Sequence, residues 1–406
     1  MNYDIVIAGA GPAGIGAALE AARSGLRVAL IERYGCVGGN LTQGYVGPLL
    51  GKVCAGTVAE EIEAAICAKR GAVPDFEKAK IALTDMLDRA GVDVFLQTSV
   101  VGAEKIGDRI EKIHTAGKFG NISVSAETFV DATGDGDVAA SAGVPFFKGR
   151  EEDARMQPCT IMFNVGGVDC ERAVFPPSFE TLVETPKGEL QALAKEILPF
   201  PAGHVLLYRQ PLPNTVCCNM TNAIEIDGTD GESLTKGIMV CRSQIIPIIK
   251  FLREYVPGYE KCYLTSSASL IGIRETRHFE GLATLTKDDI LEARVHDDWV
   301  VRRAWFNFDV HNLTGASLDK TGAQKHFKQK SDYTIPYGCI LPKNVEGLLL
   351  SGRNISGSHM AHSNFRIMSV CIALGEAAGT AAALSVKQNI KLRDVNVKEI
   401  QEIVGV

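Results

Sequence analysis

The sequence of 406 residues lacks several features that would assign a function class directly. Its eleven cysteines form no Cys-x-x-Cys pair, and their odd number and scatter argue against a disulfide framework, a zinc site or an iron–sulfur cluster. We therefore expect reduced thiols and no bound metal. Positively charged residues are fewer than negatively charged ones: the chain has 42 Lys and Arg and 48 Asp and Glu, which gives a formal net charge of −6. This balance offers no basic face for nucleic acid.

Long apolar runs do not stand out in the sequence. The stretches at 347–350 and 245–252 are short or interrupted by Pro247 and Lys250, which is well below membrane-spanning length. The first residues include Asp4 and show no positively charged region before a continuous apolar stretch, so we expect no secretory signal. These absences predict a soluble, cytoplasmic protein with neither a membrane nor a nucleic-acid partner. The oligomeric state is left open, a homo-oligomer included.

What is present begins with a strand–turn–helix–strand unit. Residues 3–8 are rich in β-formers, 12–24 are rich in Ala and predict a helix closed by Gly25, and 27–31 form a second apolar run. This spacing is typical of the βαβ module that opens a doubly wound sheet. Further predicted elements are helices at 58–69 and 78–90 and a strand at 92–97.

The later pattern predicts a discontinuous first domain. Short apolar runs from 99 to 130, with turn signals at Asp108 and 117–120, indicate an antiparallel meander. A middle region with more Pro and long loops follows, with one long helix at 232–255 that contains Pro247. An apolar strand at 345–350 and a helix at 365–386 then return to the first pattern. We predict an α/β fold in which residues 1–145 and 332–406 form a Rossmann-like dinucleotide-binding domain and 146–331 an inserted α+β substrate domain.

The glycine-rich segment Gly9-Ala10-Gly11-Pro12-Ala13-Gly14 follows the first predicted strand and opens the first helix. Such glycines permit a tight turn, close approach to a pyrophosphate and close packing of helix on strand, while the helix N-terminus favours negative charge. Glu32 ends the second strand, where a carboxylate can accept hydrogen bonds from a ribose diol. A second glycine-rich loop, residues 35–40, favours FAD over NAD because it can wrap the diphosphate.

Four segments together carry a resemblance to a known family. They are residues 32–47, the run Asp131-Ala-Thr-Gly-Asp-Gly-Asp137, the run Ile271-Gly-Ile-Arg-Glu-Thr-Arg277, and residues 350–379. In this order they resemble the FAD-dependent oxidoreductases with a glutathione-reductase-type fold, which are distantly related to fumarate reductase flavoproteins and to the flavin lobe of heterodisulfide reductase. The resemblance spans most of the chain. It implies FAD bound by the two terminal segments and a substrate domain between them.

The same resemblance implies which residues contact FAD. Those expected at the diphosphate, the adenosine ribose and the approach to the flavin are Gly9, Gly11, Pro12, Ala13, Gly14, Glu32, Arg33, Gly38, Gly39 and Asn40. Those expected at the adenine, the adenosine half and the ribityl and phosphate region are Val100, Ala132, Thr133, Gly134, Gly352, Arg353 and Arg366. The first turn of the last long helix, after Asn364, is expected to stabilise negative charge on reduced flavin.

Candidates for substrate chemistry lie in the middle region and beside the last strand. Because FAD exchanges a hydride at N5, a base, acid or anion clamp must lie next to it. The family pattern favours His311, His362 and Arg274, although a structural histidine or a salt-bridged arginine would explain each of them equally well. His362 is expected in a loop and His311 in a strand-like run.

The sequence contains few groups that could exchange electrons with the flavin. Cys36 has no paired cysteine nearby for a redox-active disulfide, and no second glycine-rich fingerprint for NAD(P)H is present. Reoxidation would use another electron carrier, a second substrate or oxygen. The sequence favours a dehydrogenase or reductase that moves a hydride between a small polar or anionic metabolite and flavin. An electron-transfer subunit, a monooxygenase and a flavin-storage protein remain as alternatives.

Overall fold

The computed structural model describes residues 1–47, 49–67, 69, 71–317 and 329–405. Its strands, in chain order, are β1 Asn2–Ala8, β2 Val28–Ile31, β3 Asp93–Phe95, β4 Thr98–Ile106, β5 Arg109–Gly117, β6 Gly120–Asp131, β7 Phe146–Lys148, β8 Phe163–Gly166, β9 Glu184–Thr185, β10 Gly188–Glu189, β11 Leu207–Arg209, β12 Val216–Cys218, β13 Tyr263–Ser267, β14 Arg277–Phe279, β15 Trp299–Ala304, β16 Tyr333–Pro336 and β17 Leu348–Leu350.

The helices alternate with these strands in the terminal segments. They are α1 Pro12–Arg23, α2 Val58–Ile66, α3 Phe76–Arg89, α4 Asp137–Ser141, α5 Leu190–Ile197, α6 Gly231–Tyr255, α7 Lys287–Leu291, α8 His359–Phe365, α9 Met368–Gln388 and α10 Val397–Val404, with 3-10 turns at Tyr337–Cys339 and Leu392–Asp394. The predicted mixed α/β class is confirmed.

One seven-stranded sheet organises the first part of the fold. Its order is β3-β2-β1-β6-β5-β4, and β17 pairs with β6. Strands β1, β2, β3, β17 and the second half of β6 are parallel, whereas β4, β5 and the first half of β6 form the predicted antiparallel meander. Because β17 comes from the C-terminal segment, the N-terminal and C-terminal segments build one sheet. The carboxyl ends of its parallel strands lie at one edge, which is where α/β folds bind ligands.

Small residues let α1 and α9 pack closely beneath this edge. A Cβ added at Gly375 would lie 2.0 Å from the carbonyl oxygen of Ala13, and one added at Gly379 would lie 2.4 Å from that of Ala17. Neither backbone has room for a larger side chain at these positions. The contact therefore holds the C-terminal helix against the helix that follows the glycine-rich turn.

The middle region forms a second sheet with its own core. The sheet order is β11-β12-β8-β13, all antiparallel, and α6 packs its apolar side into a cluster that includes Phe163, Ile248 and Tyr259. The first core takes in Val300 and Phe308 as well, which lie in the predicted insert. The predicted domain boundaries at 145 and 331 stay a prediction.

The C-terminal helix differs from the prediction of one helix over 365–386. The structure has two helices there, because Ile367 adopts an extended backbone and separates α8 from α9. His362, predicted in a loop, lies on α8, whose first turn is capped by the side chain of Ser358. The helix N-terminus at the sheet edge is therefore that of α9 at Met368, rather than a first turn after Asn364.

Helix α9 also has the length and composition of a membrane-crossing helix, which inspection of apolar runs did not reveal. Its mean hydropathy reaches 1.5 over its most apolar window, and 83% of that window is buried inside the protein. A buried core helix passes the same test of length and composition. The predicted cytoplasmic location stays a prediction.

Glu376 on α9 gives a stability prediction that depends on pH. It is buried and accepts a hydrogen bond from the amide of Val58 at 3.3 Å. Burial raises its pKa from 4.5 to about 7, against the opposing effect of this hydrogen bond. The native state therefore holds a proton that the unfolded chain releases, so stability falls as pH rises from 4.5 to 7, and the full penalty applies above 7.

Replacing Glu376 with Gln keeps an acceptor for Val58 and removes the buried charge. We expect Glu376→Gln to raise the free energy of unfolding by about 2 kcal/mol at pH 8 and to change little at pH 4.5. Urea unfolding of FAD-saturated protein across this range measures the difference. Glu77→Gln, at an exposed carboxylate, is the control. Equal stabilities of wild type and Glu376→Gln at every pH would contradict the prediction.

Candidate active site

A deep cleft lies along the carboxyl edge of the parallel strands. It encloses about 1150 Å³ including its open mouth. Its walls come from the turn after β1, the ends of β2 and β6, the start of β4, the segment before β14 and the segment after β17. The lining residues are Gly9, Gly11, Pro12, Ala13, Ile31, Glu32, Arg33, Tyr34, Gly39, Asn40, Thr98, Ser99, Val100, Ala132, Thr133, Gly134, Asp135, Asp137, Leu270, Ile271, Ile273, Ser351, Gly352, Arg353, Arg366, Met368 and Cys371.

The glycine-rich turn forms the floor of this cleft. Gly9 has φ +93°, a conformation that favours glycine, and a Cβ there would lie 2.4 Å from the carbonyl oxygen of Ala132. A Cβ at Gly14 would lie 1.7 Å from the carbonyl oxygen of Gly9, whereas one at Gly11 meets no protein atom within 4 Å. Gly11 caps α1 without a side-chain bond, and Pro12 occupies the first turn. The floor thus presents helix N–H groups and free space, which suits a diphosphate.

Glu32 stands at the end of β2 and is held by backbone amides. One carboxylate oxygen accepts a hydrogen bond from Ala10 N at 2.7 Å, and the other accepts one from Tyr34 N at 2.9 Å. Burial raises its pKa, while these two bonds oppose that rise. Each oxygen keeps a further lone pair that can accept from a sugar hydroxyl. The carboxylate is therefore oriented before any ligand binds.

The turn after β6 closes the opposite wall. Buried Asp131 accepts from the amide and hydroxyl of Thr133 at 3.1 and 2.7 Å and from Ala139 N at 2.8 Å. Burial raises the pKa of Asp131 to about 6. Gly134 adopts φ +82°, and a Cβ there would lie 2.6 Å from a guanidinium nitrogen of Arg353. The same arginine donates to Asp135 at 3.0 Å. The aspartates thus fix this turn and place Arg353 over it.

Four buried polar atoms of residues that line the cleft have no hydrogen-bond partner among the described residues. They are Asn40 Oδ1, Ser351 Oγ, Arg353 Nη1 and Arg366 Nε. Buried polar atoms are normally paired, and an unpaired one at a cleft calls for a ligand. Together with the open floor at Gly11, these atoms fit a long, polar, phosphate-bearing cofactor such as FAD.

Fifteen of the seventeen residues predicted to contact FAD line this cleft, and Gly14 and Gly38 do not. Gly14 packs beneath Gly9, and Gly38 donates its amide to Ala10 O at 2.7 Å, so both support the turn from behind. The individual contacts with FAD stay predictions. Lining residues that were not predicted to contact FAD are Ile31, Tyr34, Thr98, Ser99, Asp135, Asp137, Leu270, Ile271, Ile273, Ser351, Met368 and Cys371.

None of the three predicted catalytic residues lines the cleft directly. Arg274 follows the lining residue Ile273 and is buried beside His311, in a group organised around Asp309. His311 Nε2 lies 3.4 Å from one oxygen of Asp309, and Arg366 donates to the other oxygen at 2.9 Å. Because Arg366 also lines the cleft, it connects the Asp309 group with the cofactor site.

Burial and neighbouring charges set the protonation of the Asp309 group. Burial and then the charge of Arg274 lower the pKa of His311 to about 4, against the opposing effect of Asp309. Burial and then the charge of Arg366 lower the pKa of Arg274 to about 10. The pKa of Asp309 is lowered because His311, Arg366 and Arg274 outweigh the effect of its burial. At pH 7 His311 is therefore neutral, Asp309 is ionised and Arg274 is protonated.

The third candidate, His362, lies in a different buried group. Its ring packs edge-on against that of His278 at 4.8 Å between centroids. His278 Nε2 and His359 Nδ1 lie 2.8 and 2.6 Å from the same oxygen of Glu275. The structure therefore brings His311 and Arg274 together and separates them from His362.

The cysteines at the second glycine-rich loop and on β12 are single thiols. Cys36 and the neighbouring pair Cys217 and Cys218 are free, and burial raises the pKa of all three. A raised pKa disfavours the thiolate that redox exchange requires.

The fold and the cleft can be compared with known proteins. The family model described as FAD dependent oxidoreductase matches residues 4–404. The chain belongs to this family. FAD is accordingly its cofactor, and the protein is an FAD-dependent oxidoreductase enzyme. The family match covers both terminal segments and the middle region, as the resemblance in the sequence implied.

Solved structures support the same fold. A geranylgeranyl bacteriochlorophyll reductase-like protein from Thermoplasma acidophilum aligns with a TM-score of 0.52 at 14% identity, over 99% of this chain and 82% of that one. A flavin-dependent brominase aligns with a TM-score of 0.52 at 13% identity, over 100% and 83%. At such identities these likenesses concern the fold alone.

Curated relatives that match the chain include proteins similar over a short segment. A soluble pyridine nucleotide transhydrogenase from Hahella chejuensis (strain KCTC 2396) is 61% identical over 41 residues, and one from Ectopseudomonas mendocina (strain ymp) is 54% identical over 41 residues. Each match covers 10% of this chain and 9% of the relative. The chain thus matches less than a tenth of the length of these relatives.

Proposed function

We propose that this FAD-dependent oxidoreductase transfers a hydride between flavin N5 and a small metabolite that carries a carboxylate or a similar anionic group. The observation that carries the proposal is the unequal charge of the Asp309 group. Arg274 and Arg366 are cations, Asp309 is the one carboxylate that acts on both of them among the described residues, and His311 is neutral at pH 7. One buried positive charge within the group is left for an anion to balance.

The position of the Asp309 group suits a substrate bound at the end of the cleft. Arg366 faces both the cleft and Asp309, and Arg274 directly follows the apolar wall residues Ile271 and Ile273. An anionic group held by the two guanidiniums would place the rest of a small molecule against this apolar wall. Bound FAD supplies the acceptor or donor of the hydride.

His311 is the proposed proton acceptor in the oxidative direction. Its N–H toward Asp309 leaves the other ring nitrogen with a free lone pair, and a neutral imidazole can take the proton of a substrate hydroxyl or amine as the C–H bond delivers its hydride. Asp309 fixes the ring orientation and stabilises the imidazolium that forms. The hydride carries the two electrons of the C–H bond to FAD, and His311 takes the proton, so that all atoms and electrons of the step are accounted for.

Anaerobic titration of the FAD-loaded protein with matched compounds tests this function. We expect 2-hydroxy acids, amino acids or saturated dicarboxylates to bleach the flavin absorbance, and their amides or methyl esters to fail at the same concentrations. Bleaching by the uncharged compounds alone would overturn the anionic substrate class. Absence of bleaching by every compound, together with hydroxylation of a product only in the presence of oxygen, would favour a monooxygenase instead.

A further inference from the structure

A buried group of three histidines and one carboxylate lies behind the active site and has no part in the proposed reaction. Potential ligand atoms of Glu275, His278 and His362 all lie within 4.8 Å of one another. All three side chains are at most 1% exposed. His359 adds a third imidazole, whose Nδ1 lies 2.6 Å from Glu275 Oε1.

The group is held rigidly by its surroundings. Glu275 Oε2 accepts a hydrogen bond from Gln157 N at 3.1 Å, which fixes the carboxylate plane. His278 lies on β14 and stacks on Phe147 at 4.8 Å with an interplanar angle of 9°. His362 lies on α8 and packs edge-on against Phe365. Side chains oriented in this way by hydrogen bonds and ring packing are typical of a preformed ligand set.

The hydrogen bonds within the group leave part of it unsatisfied. His278 Nδ1 and His362 Nδ1 are buried and have no hydrogen-bond partner among the described residues. Hydrogen bonding to one carboxylate does not by itself explain why three imidazoles meet in an apolar interior. Imidazole nitrogen and carboxylate oxygen together are suitable ligands for zinc and neighbouring divalent metals, at about 2.0–2.2 Å from the ion.

We propose that Glu275, His278 and His362 bind one divalent transition-metal ion of the zinc class. A small contraction of the group brings the three ligand atoms to coordinating distance, and His359 remains as the hydrogen-bond donor that orients Glu275. The prediction that the protein binds no metal rested on cysteine spacing, whereas this ligand set contains no cysteine.

The proposed ion would be structural and would join two distant parts of the chain. Glu275 and His278 adjoin β14 in the middle region, whereas His362 belongs to α8 in the C-terminal segment. Arg366 follows His362 by one helical turn and ends α8. The ion would therefore hold α8 in place and, through it, the arginine that faces both the cleft and Asp309.

Metal analysis of protein produced without a polyhistidine tag tests the site. We expect about one zinc or related ion per chain after dialysis, and in the cobalt-substituted protein the visible absorption of a low-symmetry Co²⁺ site with nitrogen and oxygen ligands. His278→Gln and His362→Gln should each weaken binding by at least about 100-fold. His114→Gln, at a half-exposed histidine on β5, should keep the ion.

The outcomes separate this proposal from the proposed function. Substoichiometric metal in wild type after zinc addition, or unchanged metal content in both variants, would overturn the site and leave the flavin chemistry untouched. Should the variants fold poorly, a chelator provides a second readout on the wild type. Removal of the ion should lower the melting temperature of the FAD-loaded protein, and an unchanged melting temperature with full metal loss would contradict a structural ion.

Discussion

Arg274→Met is expected to lower the rate constant for flavin reduction at low substrate concentration by about 100- to 1000-fold while FAD stays bound. The guanidinium is buried and its pKa is lowered to about 10, chiefly by burial and then by Arg366. Methionine fills a similar volume without charge. The variant loses the cation that we assign to the substrate anion, and Asp309 keeps its pairing with Arg366.

Two measurements distinguish this effect from loss of structure. The melting temperature of Arg274→Met should stay near that of wild type, because the change removes a poorly compensated buried charge and one bond to Pro158 O. Stopped-flow reduction gives the rate, and Arg294→Met, at a largely exposed arginine paired with Asp289, serves as control. A rate within a few-fold of wild type would remove Arg274 from the proposed substrate site.

Gly11→Ala is expected to weaken FAD binding by about 100-fold without unfolding the FAD-free protein. The added methyl meets no protein atom within 4 Å, and the backbone at φ −74° and ψ −176° accepts an L side chain. The methyl instead occupies the floor of the cleft, where we expect the diphosphate to approach the first turn of α1. An overpacked contact of this kind costs about 1–3 kcal/mol.

Titration of flavin fluorescence measures the FAD affinity of Gly11→Ala. Gly231→Ala is the matched control, because a Cβ there also meets no atom within 4 Å and the residue lies at the start of α6, away from the cleft. Equal FAD affinities of wild type and Gly11→Ala would show that the diphosphate lies elsewhere. A lowered melting temperature of FAD-free Gly11→Ala would contradict the open space at this position.

The cofactor half of the site could be predicted from sequence because its determinants are local. The turn Gly9-Ala10-Gly11 and the carboxylate of Glu32 each act within a strand–turn unit whose spacing is visible in the chain. Arg353 follows a recognisable strand in the same way. Their meeting in one cleft then follows from the parallel sheet, in which carboxyl ends share an edge.

The Asp309 group, the Glu275 group and the break between α8 and α9 depend on contacts between segments that are distant in the sequence. Arg366 meets Asp309 because α8 ends against an extended segment 57 residues earlier in the chain. His362 meets Glu275 through the packing of α8 beside β14, and neither periodicity nor spacing reports such a contact. The break at Ile367 escaped prediction as well, since the apolar pattern continues through it and the extended backbone there is set by tertiary packing.

Anaerobic stopped-flow reduction of the FAD-loaded enzyme by the most effective carboxylate substrate is the most direct test of hydride transfer. We expect one equivalent of substrate to reduce one equivalent of flavin by two electrons. Deuterium at the reacting carbon should slow this reduction, and Arg274→Met should abolish it. Reduction by NAD(P)H alone, followed by transfer of oxygen to the organic substrate, would contradict the account.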